Sequence, residues 1–388
     1  MTNKKRLTIL WFVSVLFCLG TNISYSASPQ LFEPNTENYR ASFLIEPSTG
    51  TILHADREHD KIVPASLVKM MVSLIVMEYL SEGRVKLEEK VTVSKWASKI
   101  GGHQVYLKQG EVFELNELMK AVAIGSANDA AVAVAEFIGG DQQGFVDLMN
   151  QHAKKLNMKN TVYHNPHGLP PGKNQEENIT TAYDQALLGM ELLKFPKYLE
   201  WSSTIRDTFR NGTFELMNTN RRLLSKMPEV DGLKTGYYRS AGFSVVATAK
   251  KGETRLLAVV IGSKKQSVRT QVASRLLRKG INQYGLVKLL EKGEKLEKSI
   301  PVKNGRQEKI GLLIEEDVRL FLKLSDAKKI EQHFSLPDSV SAPVQEGAVI
   351  GSIELRKKDQ VLKKVNLLSS QSIEVKTFWD KIKEIFRF

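Results

Sequence analysis

Ser66 and Lys69 are the residues in this chain most readily joined into a reacting pair. They stand three apart in Pro64-Ala65-Ser66-Leu67-Val68-Lys69, and the apolar stretch Met70-Met71-Val72-Ser73-Leu74-Ile75-Val76-Met77 follows directly. That stretch is apolar all round rather than striped, which predicts a helix buried on every side. Residues i and i+3 share a helix face, so a hydroxyl and an amine would meet there. Burial strips water from an ammonium and lowers its pKa, so Lys69 could become a neutral proton acceptor. A serine beside a usable base is an activated nucleophile. The positive end of the helix dipole favours the oxyanion that its attack creates. The pattern alone is not selective: Ser325-Asp326-Ala327-Lys328 repeats it with a charged interior and no apolar helix behind it.

Other stretches carry further groups. Gly125-Ser126-Ala127-Asn128-Asp129 can bring a hydroxyl and an amide into a cleft from a small-residue loop, although a helix cap or turn would use the same residues. Lys234-Thr235-Gly236 offers an ammonium, a hydroxyl and an unobstructed backbone on a strand edge, all suited to gripping a carboxylate. His164 and His167 stand three apart in a loop rich in Pro and Gly. No third-ligand pattern such as H-E-x-x-H accompanies them, so the default is a structural or cleft-lining loop and no metal is expected. Glu176 and Glu177 read as a solvated face.

Short strands at residues 41–45 and 51–54 around a Pro-Ser-Thr-Gly turn predict a hairpin leading into the Ser66 helix. Amphipathic patterning over about residues 115–138 and 145–156 predicts a helical middle. A second hairpin is expected at residues 242–248 and 255–261, then a helix over about residues 268–284. Strands bracketing a helical middle predict an α+β domain, one antiparallel sheet with helices packed on it. From about residue 286 short β-type runs alternate with charged turns, which predicts a small all-β domain. Val375, Phe378, Trp379, Ile382, Ile385 and Phe386 then fall at helical spacing, with Lys376, Lys381, Lys383 and Arg387 around them. An amphipathic helix of that kind over residues 371–388 suits a membrane interface, the alternative being packing onto the β domain.

With 388 residues the chain has room for two domains and a sizeable core. Residues 1–26 read as a secretory signal peptide: Lys4-Lys5-Arg6, an apolar run over residues 7–19, and small residues at 24–26. The sole cysteine, Cys18, lies in that leader, so the mature chain would carry no disulfide and rely on its core. The formal net charge of +13 would fall to +10 with the leader removed. These charges are spread out and mixed with Glu, and nothing resembles a nucleic-acid module, so no nucleic-acid partner is expected.

Ser66-Leu67-Val68-Lys69, Ser126-Ala127-Asn128 and Lys234-Thr235-Gly236 stand in this order along the chain. The ordered set resembles the penicillin-recognising serine enzymes, whose signatures are S-x-x-K, S-x-N and K-T-G. Within them the chain resembles the low-molecular-mass D-alanyl-D-alanine carboxypeptidases of the penicillin-binding protein 5 type (serine peptidase family S11). Residues 165–169, 218–221 and 231–236 add to the likeness. The resemblance implies a β-lactamase/transpeptidase-like domain over residues 27–285, an antiparallel sheet with helices on both faces. A β-rich domain over residues 286–370 and a terminal anchor helix would follow.

It also implies that Ser66 attacks the terminal D-Ala-D-Ala carbonyl of peptidoglycan pentapeptides, with Lys69 as base for acylation and Lys234 a second candidate for that proton. Ser126 and Asn128 would orient substrate and relay protons, and Lys234 would support the electrostatics near Ser126. Thr235 would take the terminal carboxylate beside Gly236, and the N–H groups of Ser66 and Tyr237 would form an oxyanion hole. No cofactor is implied; β-lactams would inhibit by acylating Ser66. Such a protein would be exported to the periplasmic or outer face of the bacterial cytoplasmic membrane, in cell-wall biogenesis. A D,D-endopeptidase would use the same site. A class A-type β-lactamase would need an E-x-x-L-N stretch, which Glu176-Glu177-Asn178-Ile179 does not supply. A non-catalytic wall-binding protein would be expected to lack Ser66 or Lys69.

Overall fold

Alternation of side chains across strands explains how one sheet comes to carry helices on both faces. A computed structural model describes residues 38–172 and 176–385. The expected leader over residues 1–26, the chain up to residue 37 and Phe386 and Arg387 lie outside the described residues. Strands β1 (Ala41–Glu46) and β2 (Thr51–Asp56) form the first hairpin. Strands β3 (Val230–Tyr238), β4 (Gly242–Lys251) and β5 (Thr254–Ser263) complete a five-stranded antiparallel sheet in the order β2-β1-β5-β4-β3. Phe43, Ile45, Val246, Leu257, Val259 and Ile261 point to one face, into a core shared with the helices Lys69–Ser81, Asn128–Gly139, Gln142–Lys155 and Ala182–Leu192. Leu44, Val245, Ala247, Leu256, Ala258 and Val260 point to the other face, against the helices Arg221–Lys226 and Gln266–Gln283. The period of two in these strands therefore serves two cores at once.

Every residue from Lys69 through Met77 is buried, as the all-round apolar run predicted. The expected helix over about residues 115–138 is interrupted. Leu115–Lys120 is α-helical and Ala121–Gly125 widens into a π turn. Ser126 adopts φ +60°, and the helix resumes at Asn128. The break leaves the Asn128 N–H to donate to the His103 carbonyl oxygen at 2.7 Å, a distant partner that periodicity does not reveal. The helices Ala182–Leu192 and Pro196–Ser203 and the hairpin Arg206–Phe209/Phe214–Met217 complete the domain.

Between Tyr284 and the terminal helix, the described chain is all-β but for one four-residue helix, Leu324–Ala327. Tyr284–Leu290 pairs with Val318–Lys323, and six further strands form a second sheet around Ile310, Leu312, Ile353, Leu355 and Leu367. It docks on the turn between β4 and β5. The Leu286 N–H donates to Thr254 Oγ1 at 2.9 Å, and Arg319 Nε lies 3.1 Å from the Glu253 carboxylate.

Val375 departs from its expected place on the terminal helix. Ile373 and Val375 bridge in extended form to Val344 and Gly305, and Ile373 is buried in the β core. The helix instead runs Phe378–Ile385. Burial of Ile373 holds the preceding backbone extended, and a capping box starts the helix. The Thr377 N–H donates to Asp380 Oδ2 at 2.8 Å, and the Asp380 N–H donates back to Thr377 Oγ1 at 3.3 Å. Arg306 ties the same carboxylate to the β domain at 3.1 Å.

Candidate active site

Three chain segments meet at the turn Ala65–Val68 that precedes the buried helix. Ala65 has φ +48°, a left-handed conformation costing a non-glycine residue about 1–2 kcal/mol. Close backbone packing holds it there. A Cβ on Gly168, itself at φ +75°, would lie 2.1 Å from the Ala65 carbonyl oxygen. A Cβ on Gly236 would lie 2.7 Å from the Pro64 oxygen and 3.3 Å from the Leu67 nitrogen. The loop after Asn165 and the edge strand β3 thus clamp the Ser66 turn from two sides, and only glycine permits either approach.

Lys69 Nζ has three partners: Asn128 Oδ1 at 2.7 Å, the His167 carbonyl oxygen at 2.7 Å and Ser66 Oγ at 3.2 Å. Burial, with the Lys234 charge adding to it, holds this amine well below the ordinary lysine pKa. A neutral amine has two N–H bonds and one lone pair. The two carbonyl-type oxygens take the N–H bonds, and the lone pair is left for the Ser66 hydroxyl proton. Asn128 is in turn oriented by its Nδ2, which donates to the Gly101 carbonyl oxygen at 2.7 Å.

Across the cleft, Lys234 Nζ donates to Ser126 Oγ at 2.7 Å and to the Thr235 carbonyl oxygen at 3.1 Å. Burial first, and the Arg269 guanidinium second, bring Lys234 down to about 7. Thr235 Oγ1 donates to Thr219 Oγ1 at 2.8 Å. Tyr237, 53% exposed, stacks on Phe243 with ring centroids 4.0 Å apart. The seven motif residues Ser66, Lys69, Ser126, Asn128, Lys234, Thr235 and Gly236 therefore gather between the Ser66 turn and β3, with Tyr237 next along that strand. Ser325 and Lys328 do not join it; they are exposed on the β domain.

Several supporting residues escaped the sequence reading. Asp129 is buried, and its carboxylate accepts from the N–H groups of Leu107 at 3.0 Å, Val105 at 3.2 Å and Ala130 at 2.9 Å. It pins the loop whose Gly101 and His103 hold Asn128. The one available signal was an acid directly after an S-x-N. Thr219 lies in the stretch 218–221 that added to the family likeness, but nothing local showed that it would meet Thr235; Arg269 gave no signal, since its role depends on packing against β4. His167 supplies its backbone oxygen to Lys69, while its Nδ1 accepts from the Leu169 N–H at 3.1 Å. Burial and Lys69 hold its imidazole at about 4, so the ring is neutral at pH 7. The loop lines the cleft. Among the described residues no group of three or more His, Cys, Asp or Glu side chains gathers in the manner of a metal site.

Residues 30–265 match the family model for D-alanyl-D-alanine carboxypeptidase, and residues 284–375 match that for the penicillin-binding protein 5 C-terminal domain. The chain is 37% identical over 327 residues to D-alanyl-D-alanine carboxypeptidase DacF of Bacillus subtilis, covering 83% of this chain and 82% of that protein. Penicillin-binding protein 6B of Escherichia coli superposes with a TM-score of 0.70 at 29% identity, over 88% of this chain and 98% of the other. Penicillin-binding protein D2 of Listeria monocytogenes, solved with ampicillin bound, superposes with a TM-score of 0.58 at 26% identity, over 64% of this chain and all of the other.

Proposed function

Because the chain belongs to the D-alanyl-D-alanine carboxypeptidase family, we propose that it removes the terminal D-alanine from peptidoglycan stem peptides through an acyl-enzyme on Ser66. The observation that carries this reading is the placement of Lys69 Nζ: fully buried, saturated by two carbonyl-type oxygens, and 3.2 Å from Ser66 Oγ.

Ser66 Oγ attacks the carbonyl carbon of the terminal D-Ala-D-Ala bond as its proton passes to Lys69 Nζ. The negative oxygen that develops is stabilised by the backbone N–H groups of Ser66 and Tyr237. Gly236 lets the strand bearing Tyr237 come close enough to the Ser66 turn for this. Thr235 Oγ1 and the Lys234 ammonium take the substrate carboxylate, and Asn128 steadies the acyl amide. The C–N bond then breaks. A proton delivered through Ser126, which Lys234 Nζ touches at 2.7 Å, makes D-alanine a neutral amine leaving group. Water hydrolyses the ester and restores the serine. A β-lactam carries a carboxylate and a strained amide in similar relation, so it would acylate the same hydroxyl.

The leader over residues 1–26 would export the protein, and the terminal helix would hold it at the outer face of the cytoplasmic membrane. Support for the second part comes from Phe378 and Trp379, which are 72% and 70% exposed instead of packing on the β domain.

The deciding experiment follows intact mass after the mature protein is mixed with penicillin. A stable one-to-one adduct mapped to Ser66, with D-alanine released from a pentapeptide, is the expected result. Rapid hydrolysis of the drug would favour a β-lactamase, and neither adduct nor D-alanine would overturn the catalytic reading.

A further inference from the structure

The cleft does not end at Tyr237. β3 stops at Tyr238, and beyond it a groove of about 520 Å³ opens over the ends of β1, β2, β4 and β5. Arg40, Arg57, Arg239 and Lys264 line it, and no acidic side chain does so among the described residues. The stem of Arg40 crosses Gly262, where an added Cβ would lie 2.8 Å from the arginine Cγ. Arg57 is held by the Tyr39 carbonyl oxygen at 3.0 Å and by the Asp56 carboxylate at 3.3 Å. Ser263 also lines the groove: its hydroxyl is fully buried and has no hydrogen-bond partner among the described residues.

Substrate direction links this groove to the chemistry, and here the inference rests on the catalytic reading above. The terminal carboxylate lies at Thr235 and the scissile carbonyl at the Tyr237 N–H. A peptide along β3 therefore runs with its C-terminus toward Lys234 and its acyl portion past Tyr237, toward Arg239. Tyr237, exposed and stacked on the half-buried Phe243, forms the threshold between the two spaces.

We infer that this groove is a subsite for a free carboxylate carried on the acyl side of the substrate, held by Arg239 and Arg40. Guanidinium groups suit a carboxylate because each can present two parallel N–H donors. The preferred substrate class is then an acidic stem peptide in which an upstream carboxylate is neither amidated nor cross-linked.

The test uses two otherwise identical peptides ending in D-Ala-D-Ala, one with a side-chain carboxylate upstream and one with the carboxamide. The intact protein should prefer the acid in kcat/KM by about three- to tenfold, a preference that shrinks as salt rises. In the double variant Arg40→Gln/Arg239→Gln the ratio should fall to near one, while Arg239→Lys alone should keep part of it. Equal kcat/KM for the two peptides in the unaltered protein, or a ratio that survives the double variant, would overturn the subsite. Failure of both peptides to release D-alanine, with no penicillin adduct, would instead mark failure of the catalytic reading itself.

Discussion

The Lys234 ammonium donates to the Ser126 hydroxyl at 2.7 Å, although 108 residues separate the two along the chain. This contact closes the cleft opposite Lys69 and couples the two lysines electrically. Lys234 lowers the pKa of Lys69, so a charge on one side keeps the amine on the other neutral.

A pH profile should show that coupling. Lys234 titrates at about 7, so raising the pH past neutrality removes the charge that would hold the substrate carboxylate. The rate of penicillin acylation should therefore decline on the alkaline side in the free enzyme. Lys234→Gln should lower the rate by about 10²-fold and remove that limb. Without its repelling neighbour Lys69 should hold its proton to higher pH, moving the acid limb upward. An acid limb that stays in place would disprove the coupling.

Lys69→Met tests which lysine accepts the serine proton. With Lys69 as base, acylation should slow by about 10³-fold while the near-ultraviolet circular dichroism stays native. Acylation within a few-fold of the unaltered protein would transfer the role to Lys234.

Gly168→Ala should damage the site without touching a reacting group. Its Cβ would fall 2.1 Å from the Ala65 oxygen at a backbone φ of +75°, so the loop or the Ser66 turn has to move. A stability loss of about 1–3 kcal/mol is expected from the strained φ alone. Displacing Ser66 by even 1 Å should cost about 10²-fold in acylation. Thermal unfolding and stopped-flow acylation of the same sample measure both, and native values in each would refute the clamp.

Removal of residues 377–388 should release the protein from membranes while sparing the β domain, whose core includes Ile373. Deletion from residue 371 should unfold part of that domain as well, because Ile373 bridges Val344. Fractionation and thermal unfolding of the two truncations distinguish the outcomes. Membrane association that survives the shorter deletion would point to a retained leader.

Short-range regularities were legible from the sequence alone. The period-two strands of the sheet, the helix buried on all sides behind Lys69, and the small β domain each follow from how often apolar side chains recur along the chain. The three motifs were legible for a related reason: their chemistry needs particular residues at fixed local spacing. Tertiary structure decided which of those groups meet. Ser66-x-x-Lys69 and Ser325-x-x-Lys328 have the same spacing, yet only the first is buried against Asn128, 59 residues beyond Lys69, and His167, 98 beyond. The break at Ser126, the service of Asp129 to the Leu107 and Val105 N–H groups, and the extended course of Val375 likewise depend on partners far along the chain. Periodicity records which face of an element is apolar. It does not record which distant backbone group will satisfy a hydrogen bond, and in this protein that selection assembles the site.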